Sequence, residues 1–401
     1  MDPSKSLKQP AGKRHIFRKA VIAGFVVYLV LSILAGIVIA DVSLKLHRLP
    51  LRHRQAIAAA VQADFHAELQ DVAITAADGV VLKGWFVHPR NYNGNAVILL
   101  HGITDNREGV AGYGRLLLEH GYAVLLPDAR RHGESGGELA TYGVKESDDI
   151  HRWISWIYVH DLPQCVYGFG ESYGAALILQ SLAAEDRFCA VAVESPFSTA
   201  REMSYERVSG PLHLGPWFGR TIGRPSIWSA VVYAHVRYGI DLLQPSPLEA
   251  VAHSRVPVLL IHGKADRNIA PRHSQLIAAA APGHSELWLV PHAGHTMAWT
   301  VAHNEFEGRL LGWFFSHSHP AHAMQRPQLF LINIFSWKIF SFWNVFAPAN
   351  VHSSWHLRIR NRLCFSNFSA ALDSKLRRGF FQPGCELLAV APKQVAERLN
   401  T

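Results

Sequence analysis

The sequence contains few cysteines and no recognisable metal-binding motif, and both absences narrow the class of protein. Four cysteines among 401 residues are too few for a disulfide-rich scaffold. There is also no H-E-x-x-H motif and no paired Cys-x-x-Cys among the 24 histidines and the cysteines. We therefore expect no metal and no organic cofactor.

The central part of the chain has no excess of positive charge, although the formal net charge of the whole chain is +8. Residues 1–19 carry a net charge of +5 and residues 317–401 carry +7, so residues 20–316 carry −4. A nucleic-acid groove needs a stripe of Lys and Arg, and none crosses this central part. Nucleic acid is therefore not expected as a partner.

One segment contains no charged residue at all. The 21 residues from Ala20 to Ala40 would form a helix about 30 Å long, enough to cross a bilayer. The Lys/Arg-rich residues 1–19 precede it, so the positive-inside rule predicts a cytoplasmic N-terminus and a signal anchor at 20–40. A cleaved signal peptide is the alternative, since Val38 and Ala40 would suit positions −3 and −1 of a cleavage site. Both interpretations place the rest of the chain outside the cytoplasm, in the periplasm or the extracellular space.

After a juxtamembrane connector at 41–70, short apolar runs alternate with longer amphipathic ones. This alternation predicts an α/β fold with a mostly parallel eight-stranded sheet, helices on both faces and an antiparallel start. About sixty residues, roughly 195–253, separate the sixth and seventh runs and are expected to form a small cap. The domain is predicted to span 71–316, followed by a poorly ordered, basic and aromatic extension at 317–401 without a catalytic part. The eight runs are DVAIT, VVLKGWFVHP, AVILLHG, YAVLLPD, CVYGFG, AVAVES, VPVLLIHG and ELWLVPH.

Two of the cysteines, Cys165 and Cys189, each open a predicted strand. In the predicted sheet these two strands are parallel neighbours. Adjacent strands lie about 4.8 Å apart, which is compatible with the Cα separation of a disulfide. An oxidising compartment would favour that bond. The alternative is a pair of inert buried thiols.

A G-x-S-x-G motif at 170–174 lies between the apolar run CVYGF and the helical run AALILQSLAA. A strand that turns sharply into a helix exposes the serine hydroxyl, and Gly170 and Gly174 leave room for strand and helix to approach each other. This context predicts that Ser172 is a nucleophile. The alternative is an ordinary serine in a glycine-rich turn.

A serine hydroxyl needs a base, and the base needs a carboxylate that orients it. On this type of strand-turn-helix frame, the acid and then the histidine follow the serine in the chain. Asp266 follows the seventh predicted strand and His295 follows the eighth, both in loops at the carboxyl ends of strands. We therefore predict Ser172, His295 and Asp266 as a catalytic triad.

Other residues compete for two of these roles. His292 is close to His295, but Ala293-Gly294 gives a flexible turn that favours His295 as the base. Glu194 and Asp241 compete with Asp266, but neither follows the seventh strand. The alternative for Asp266 is a solvated loop carboxylate.

The oxyanion of a tetrahedral intermediate needs two backbone donors. The third strand ends in His101-Gly102, a turn expected to direct the N–H of Ile103 toward the site. The N–H of Tyr173, directly after the nucleophile, would be the second donor. His101 is interpreted as a supporting structural histidine and not as a base.

Several motifs in order resemble the α/β-hydrolase superfamily, in the branch of serine aminopeptidases, acylaminoacyl-peptidase-like and lysophospholipase-like hydrolases. The resemblance covers about 71–316 and implies the fold and the triad, whereas that branch hosts esterases and peptidases alike. It also implies that Asp128, Arg130, His132, Gly133 and Ser135 form a structural loop beside the site. Only about 30 residues separate the anchor from the domain, which excludes the propeller-gated prolyl-oligopeptidase type. The motifs are HGITDNR, DARRHGESGG, TYGVKESDDI, GFGESYG, VAVESPF, VPVLLIHGKADRNI and VPHAGHT.

We therefore expect a membrane-anchored serine hydrolase that acts on a small acyl ester. A peptidase or amidase acting on short peptides is the second hypothesis, and an inactive membrane-tethered binding protein is the third. Aromatic residues of the cap either line an acyl pocket or pack the cap onto the sheet. These residues are Tyr205, Trp217, Phe218, Trp228 and Tyr233, with Pro216 beside them.

Overall fold

The computed structural model describes residues 11–210, 214–244 and 246–318, so most of the predicted C-terminal extension lies outside the described residues. The strands are β1 (Leu69–Thr75), β2 (Val81–Val87), β3 (Asn95–Leu100), β4 (Ala123–Pro127), β5 (Cys165–Glu171), β6 (Phe188–Glu194), β7 (Val258–Gly263) and β8 (Ser285–Val290). The helices are α1 (Ala11–Leu44), α2 (Arg54–Phe65), α3 (Ala111–Glu119), α4 (Glu146–His160), α5 (Tyr173–Ser181), α6 (Ala200–Ser209), α7 (Pro216–Arg220), α8 (Arg224–Tyr238), α9 (Pro247–His253), α10 (Arg272–Ala280), α11 (Ala298–Val301) and α12 (His303–Ser316).

The eight strands form one sheet in the order β1-β2-β4-β3-β5-β6-β7-β8. β1 pairs antiparallel with β2 and β2 pairs antiparallel with β4, while every later pair is parallel. The hairpin between β1 and β2 turns at Gly79, whose φ of +80° favours glycine. The predicted mostly parallel sheet with an antiparallel start is confirmed.

Successive side chains of a strand point to opposite faces of the sheet, and each face is covered. In β3, Val97 and Leu99 belong to the apolar layer that includes α3 and α12. Ile98 and Leu100 belong to the layer that includes α4, α5 and α10. Both faces of the sheet are therefore covered by apolar layers, which explains why the inner parallel strands appear in the sequence as continuous apolar runs.

Residues 195–253, here called the cap segment, contain the four helices α6 to α9 between β6 and β7. Helices α6, α7 and α8 pack against one another, whereas α9 packs against α5 and α10 of the sheet layer. Thr199 and Ser246 accept backbone N–H groups at the starts of α6 and α9 and so define where these helices begin.

Helix α1 is 34 residues long and contains the predicted anchor at 20–40. Its segment Arg14–Leu44 is long and apolar enough to cross a membrane, and only 11% of its most apolar window is buried. It contacts α8 of the cap segment. A membrane anchor and a signal sequence both satisfy these criteria.

Cys165 and Cys189 form a disulfide with a Cα–Cα distance of 5.7 Å. They lie at the amino ends of β5 and β6, which are neighbours in the sheet. The bond therefore ties together two adjacent strands, at the end of β5 opposite the G-x-S-x-G turn.

Candidate active site

Ser172 lies at the sharp turn between β5 and α5. Its φ of 51° and ψ of −110° place it in a conformation that side-chain-bearing residues rarely adopt. A Cβ atom on Gly170 would lie 2.6 Å from the carbonyl carbon of Gly174, and one on Gly174 would lie 2.3 Å from the carbonyl oxygen of Leu100. Glycine is therefore required on both sides of the serine, because strand and helix approach so closely there.

Two later loops bring a histidine and an aspartate to this serine. The Nε2 atom of His295 lies 2.8 Å from the Oγ of Ser172. Its other ring nitrogen, Nδ1, lies 2.7 Å from the Oδ2 of Asp266. The Asp266 side chain is buried, and His295 is partly accessible. The three side chains form one continuous hydrogen-bonded chain from carboxylate to hydroxyl.

The carboxylate of Asp266 accepts other hydrogen bonds besides the one from His295. Its Oδ1 accepts the backbone N–H groups of Asn268 at 2.8 Å and Ile269 at 3.0 Å. The Nε2 of His262 lies 3.3 Å from Oδ2. Burial opposes the charged form of Asp266, but the hydrogen bonds from His262, His295 and Ile269 outweigh burial and lower the pKa of this carboxyl well below its ordinary value. The carboxylate therefore stays charged and available to orient His295.

The competing residues lie in other surroundings. His292 is exposed on the turn after β8. Asp241 is exposed and accepts the backbone N–H of Leu243. Glu194 is fully buried, and its carboxylate accepts the N–H of Ala298 at 2.8 Å. None of these three takes part in the chain from Asp266 to Ser172.

The end of β3 runs beside the nucleophile, as an oxyanion hole requires. A Cβ atom on Gly102 would lie 4.0 Å from the Cβ of Ser172, so the Gly102-Ile103 backbone borders the serine. Tyr173 is the first residue of α5, where a helical N–H has no acceptor within the helix. The predicted donors, Ile103 and Tyr173, therefore lie in backbone positions that adjoin Ser172.

A family model described as the alpha/beta hydrolase family matches residues 97–306, which include Ser172, Asp266 and His295. The chain belongs to this family. The predicted α/β-hydrolase fold is thereby confirmed, and the match begins in β3 and ends in α12, so it includes the strands that carry these three residues.

Proteins similar to this chain include two uncharacterised bacterial proteins and an esterase from Pyrococcus furiosus. It is 32% identical over 196 residues to YqkD of Bacillus subtilis, covering 48% of this chain and 62% of that protein. It is 27% identical over 214 residues to YfhR of Escherichia coli K12, covering 51% of this chain and 66% of that protein. The structure of the Pyrococcus furiosus esterase Pf2001 matches with 25% identity and a TM-score of 0.51, covering 64% of this chain and 94% of that one. The matched part thus spans somewhat less than two thirds of the two curated relatives.

His101 has the surroundings of a structural residue. Its Nδ1 lies 2.7 Å from the carbonyl oxygen of Gly102, and its Nε2 accepts the N–H of Ala129 at 3.2 Å. Burial lowers the pKa of His101 to about 4. The neutral ring therefore donates from Nδ1 and links the end of β3 to the loop after β4.

That loop contains the residues that the resemblance assigned to a structural role. The carboxylate of Asp128 accepts the backbone N–H groups of Arg107 and Glu134, each at 2.8 Å. A Cβ atom on Gly133, whose φ is +44°, would lie 2.1 Å from the Oδ2 of Asp128. Ser135 donates its hydroxyl to the carbonyl oxygen of Asp128 at 2.7 Å.

Arg130 and His132, two further residues of that loop, are also fixed by side-chain contacts. Arg130 forms ion pairs with Asp149 at 2.7 Å and Asp78 at 2.9 Å. The ring of His132 lies beside that of His101, with centroids 5.0 Å apart and planes tilted by 57°. The loop is therefore a rigid support beside the site.

A pair of acidic residues lies behind the nucleophile, and their proximity was missed because nothing in the sequence indicates that the two residues meet. Glu171 and Glu194 are paired in register across β5 and β6, and Tyr113 donates its hydroxyl to the Oε2 of Glu194 at 3.3 Å. Burial, followed by the charge of Glu194, raises the pKa of Glu171 to about 8. Burial raises the pKa of Glu194 to about 7. Both carboxyls are thus neutral at mildly acidic pH.

His262 was missed as well, although it precedes Asp266 by four residues at the end of β7. Its Nδ1 lies 2.7 Å from the hydroxyl of Ser274, and its Nε2 lies 2.9 Å from the carbonyl oxygen of Ile269. These contacts hold the ring against Asp266. A histidine that ends a buried strand just before the acid was the available signal.

Two of the aromatic residues considered for an acyl pocket lie on the outside of the cap segment. Trp217 and Trp228 are both exposed. Tyr205, Phe218 and Tyr233 are partly buried. The two tryptophans therefore need a different explanation from a pocket lining.

Proposed function

We propose that this chain is a serine hydrolase that cleaves carboxylic esters through Ser172, His295 and Asp266. The observation that carries the proposal is the hydrogen-bonded chain from Asp266 through His295 to a serine in a strained turn, at 2.7 and 2.8 Å. The esterase activity named for the Pyrococcus furiosus relative supports an ester as the first substrate class.

In the proposed reaction the Oγ of Ser172 attacks the ester carbonyl carbon while the Nε2 of His295 takes the hydroxyl proton. The resulting oxyanion accepts the N–H groups of Ile103 and Tyr173. The C–O bond to the alcohol breaks, and His295 returns the proton to the leaving oxygen. Water then attacks the acyl-enzyme with His295 as base, releasing the acid and restoring Ser172.

A fluorophosphonate probe tests the nucleophile, because it reacts covalently with activated serines. We expect the full chain in detergent to be labelled and Ser172→Ala to lose the label. Ser195→Ala is a matched control, since Ser195 is also buried and also has a positive φ, 55°, directly after a strand. Labelling of Ser172→Ala at the wild-type level would refute the proposal.

The substrate class is tested by comparing p-nitrophenyl esters of graded chain length with aminoacyl anilides. We expect measurable kcat/KM on the esters and at least tenfold less on the anilides. A preference for anilides would replace the ester with an amide or peptide substrate on the same triad. Probe labelling together with no turnover of either class would point to the tethered binding protein.

We further propose that α1 anchors the hydrolase in a membrane, with the domain outside the cytoplasm. Two independent features support this orientation: the Lys/Arg-rich flank before Ala20 and the disulfide between Cys165 and Cys189.

Labelling in cells that express the chain tests the orientation. A membrane-impermeant maleimide should react with Leu162→Cys, at an exposed position, before lysis, and with Ser6→Cys only after lysis. The reverse pattern would place the domain in the cytoplasm.

A further inference from the structure

Helix α8 of the cap segment exposes three bulky apolar side chains, while Ile227 and two alanines of the same helix are buried. Trp228, Val232 and Val236 are spaced four residues apart and are 44%, 57% and 79% exposed. On the opposite side, Ala230 and Ala234 are buried. In water, bulky apolar side chains are expected to face the protein interior, so a continuous exposed stripe of three such side chains is unusual for a water-facing helix.

The small side of α8 packs against an equally small stripe on α1. Ser32, Gly36 and Ala40 repeat every four residues and are all buried. A Cβ atom on Gly36 would lie 2.5 Å from the carbonyl oxygen of Ser226 and 2.6 Å from the Cβ of Ser229. Small residues at every fourth position that allow close backbone contact are typical of helix pairs inside membranes.

Hydrogen bonds connect the two helices along this contact. The hydroxyl of Tyr28 donates to the carbonyl oxygen of Ile222 at 2.6 Å, just before α8 begins. Ser229 donates to the carbonyl oxygen of Ile33 at 3.2 Å. Such interhelical bonds also hold membrane helix pairs together, where no water competes for the donors.

We propose that α8 inserts into the lipid bilayer beside α1, with Trp228, Val232 and Val236 as a lipid face in contact with acyl chains. This inference rests on the proposed anchoring of the chain by α1. It adds that the cap segment itself is a membrane-embedded part of the hydrolase, on the side of the bilayer where the domain lies.

The exposed side of α1 supports lipid as the occupant. Ile33, Leu34 and Val38 are exposed along the same length of α1 that contacts α8. A bilayer would cover these residues and the lipid face together.

Polar groups limit how far α8 can insert. At its C-terminal end, Tyr238 donates to Asp41 at 2.6 Å, and Lys45 pairs with Asp41 at 3.0 Å, which marks the water side. At its other end lies exposed Arg224, whose guanidinium would cost roughly 2.5–3.5 kcal/mol at the bilayer centre. The contact between α8 and α1 runs from Tyr28 to Asp41, about 20 Å along the helix axis, so we infer insertion to about that depth, with the Arg224 side chain extending away from the acyl chains.

Spin labels on the full chain in phosphatidylcholine vesicles test this inference. The labels are attached to Val232→Cys and Val236→Cys in a background where Cys364 and Cys385 are serine. Collisions of each label with oxygen, which concentrates in lipid, are compared with collisions with a water-soluble nickel complex. Leu162→Cys is the matched control, because Leu162 is 79% exposed and apolar but follows α4, before the amino end of β5.

We expect the oxygen-to-nickel ratio at both α8 positions to exceed that at the control by at least fivefold. Equal ratios at these positions and the control would overturn the inference. Exclusion of both reagents together with spin–spin broadening would also overturn it, because a second copy of the chain would then cover the face.

A label at Leu31→Cys, on the exposed side of α1, separates this inference from the anchoring on which it rests. Lipid exposure at position 31 with water exposure at 232 and 236 refutes only the insertion of α8. Water exposure at position 31 refutes the anchoring itself. Unchanged fluorophosphonate labelling of each variant shows that the hydrolase remains folded.

Discussion

The substitution Asp266→Asn removes the charge that orients the base and changes little else in size. The Oδ1 of Asp266 accepts two backbone N–H groups, from Asn268 and Ile269, so the amide oxygen of asparagine should occupy that position. The NH₂ group of asparagine then takes the place of Oδ2, which in the wild type accepts the Nδ1–H of His295 at 2.7 Å. His295 must present an unprotonated Nδ1 and carry its proton on Nε2. In that tautomer it cannot take the proton of Ser172.

The expected loss is about 10³- to 10⁴-fold in kcat/KM, which corresponds to about 4–5.5 kcal/mol of transition-state stabilisation. The loss should appear in kcat and not in KM, because Asp266 is buried behind His295. The assay is hydrolysis of a p-nitrophenyl ester by the full chain in detergent, with the thermal midpoint as a measure of folding.

Asp241→Asn is the matched control, since Asp241 is an exposed aspartate outside the hydrogen-bonded chain. It should retain wild-type activity. If Asp266→Asn keeps a tenth or more of the wild-type kcat/KM at an unchanged thermal midpoint, Asp266 does not orient the base.

Three further predictions concern the base, the disulfide and the buried acids. His295→Ala should lower kcat by roughly 10³-fold or more without unfolding the chain, whereas exposed His292→Ala should leave ester hydrolysis unchanged. Replacing Cys165 and Cys189 together by serine removes a cross-link between residues 24 positions apart. The free energy of unfolding should fall by about 3 kcal/mol and the thermal midpoint by roughly 6–12 °C. An unchanged midpoint under non-reducing conditions would contradict a structural role of the disulfide. Burial raises the pKa of Glu194 to about 7, so the native state binds more protons than the unfolded state between about pH 5 and 7. The free energy of unfolding should therefore fall as the pH rises through this range, by at most about 1.4 kcal/mol per pH unit. Glu194→Gln should flatten this dependence and exposed Glu68→Gln should not, as measured by unfolding at several pH values.

The parts of the fold that depend on local sequence could be predicted well. Each strand is a short apolar run bounded by turn residues, and the parallel strands inside the sheet are buried on both faces, unlike the edge strand β8. The turn at Ser172 is also local, because Gly170 and Gly174 adjoin it and an apolar helix follows. Chain order favoured Asp266 over Glu194 and Asp241, and Asp266 is the one of the three whose carboxylate contacts His295.

What could not be predicted depends on which strands and helices become neighbours. Glu171 and Glu194 are 23 positions apart in the chain and meet only because β5 and β6 pair in register. The same holds for α1 and α8, whose contact joins Ser229 to Ile33. The charge-free run in α1 predicted a membrane helix, but no local pattern predicted that Gly36 packs against Ser226 and Ser229.

The position of α8 gives the exposure of Trp228 a physical reason. Trp228 cannot contribute to an acyl pocket while it faces outward, yet burying its side chain in lipid would be favourable, by roughly 25 cal/mol for each Å² removed from water. The cap segment is also tied to the sheet layer, because Arg272 of α10 pairs with Glu206 of α6 at 2.5 Å and with Glu202 at 3.0 Å. A bilayer that holds α8 would therefore hold α6 and, through these ion pairs, the hydrolase domain in one orientation. On that basis, esters carried in the membrane should reach Ser172 more readily than esters of the same chain length dissolved in water.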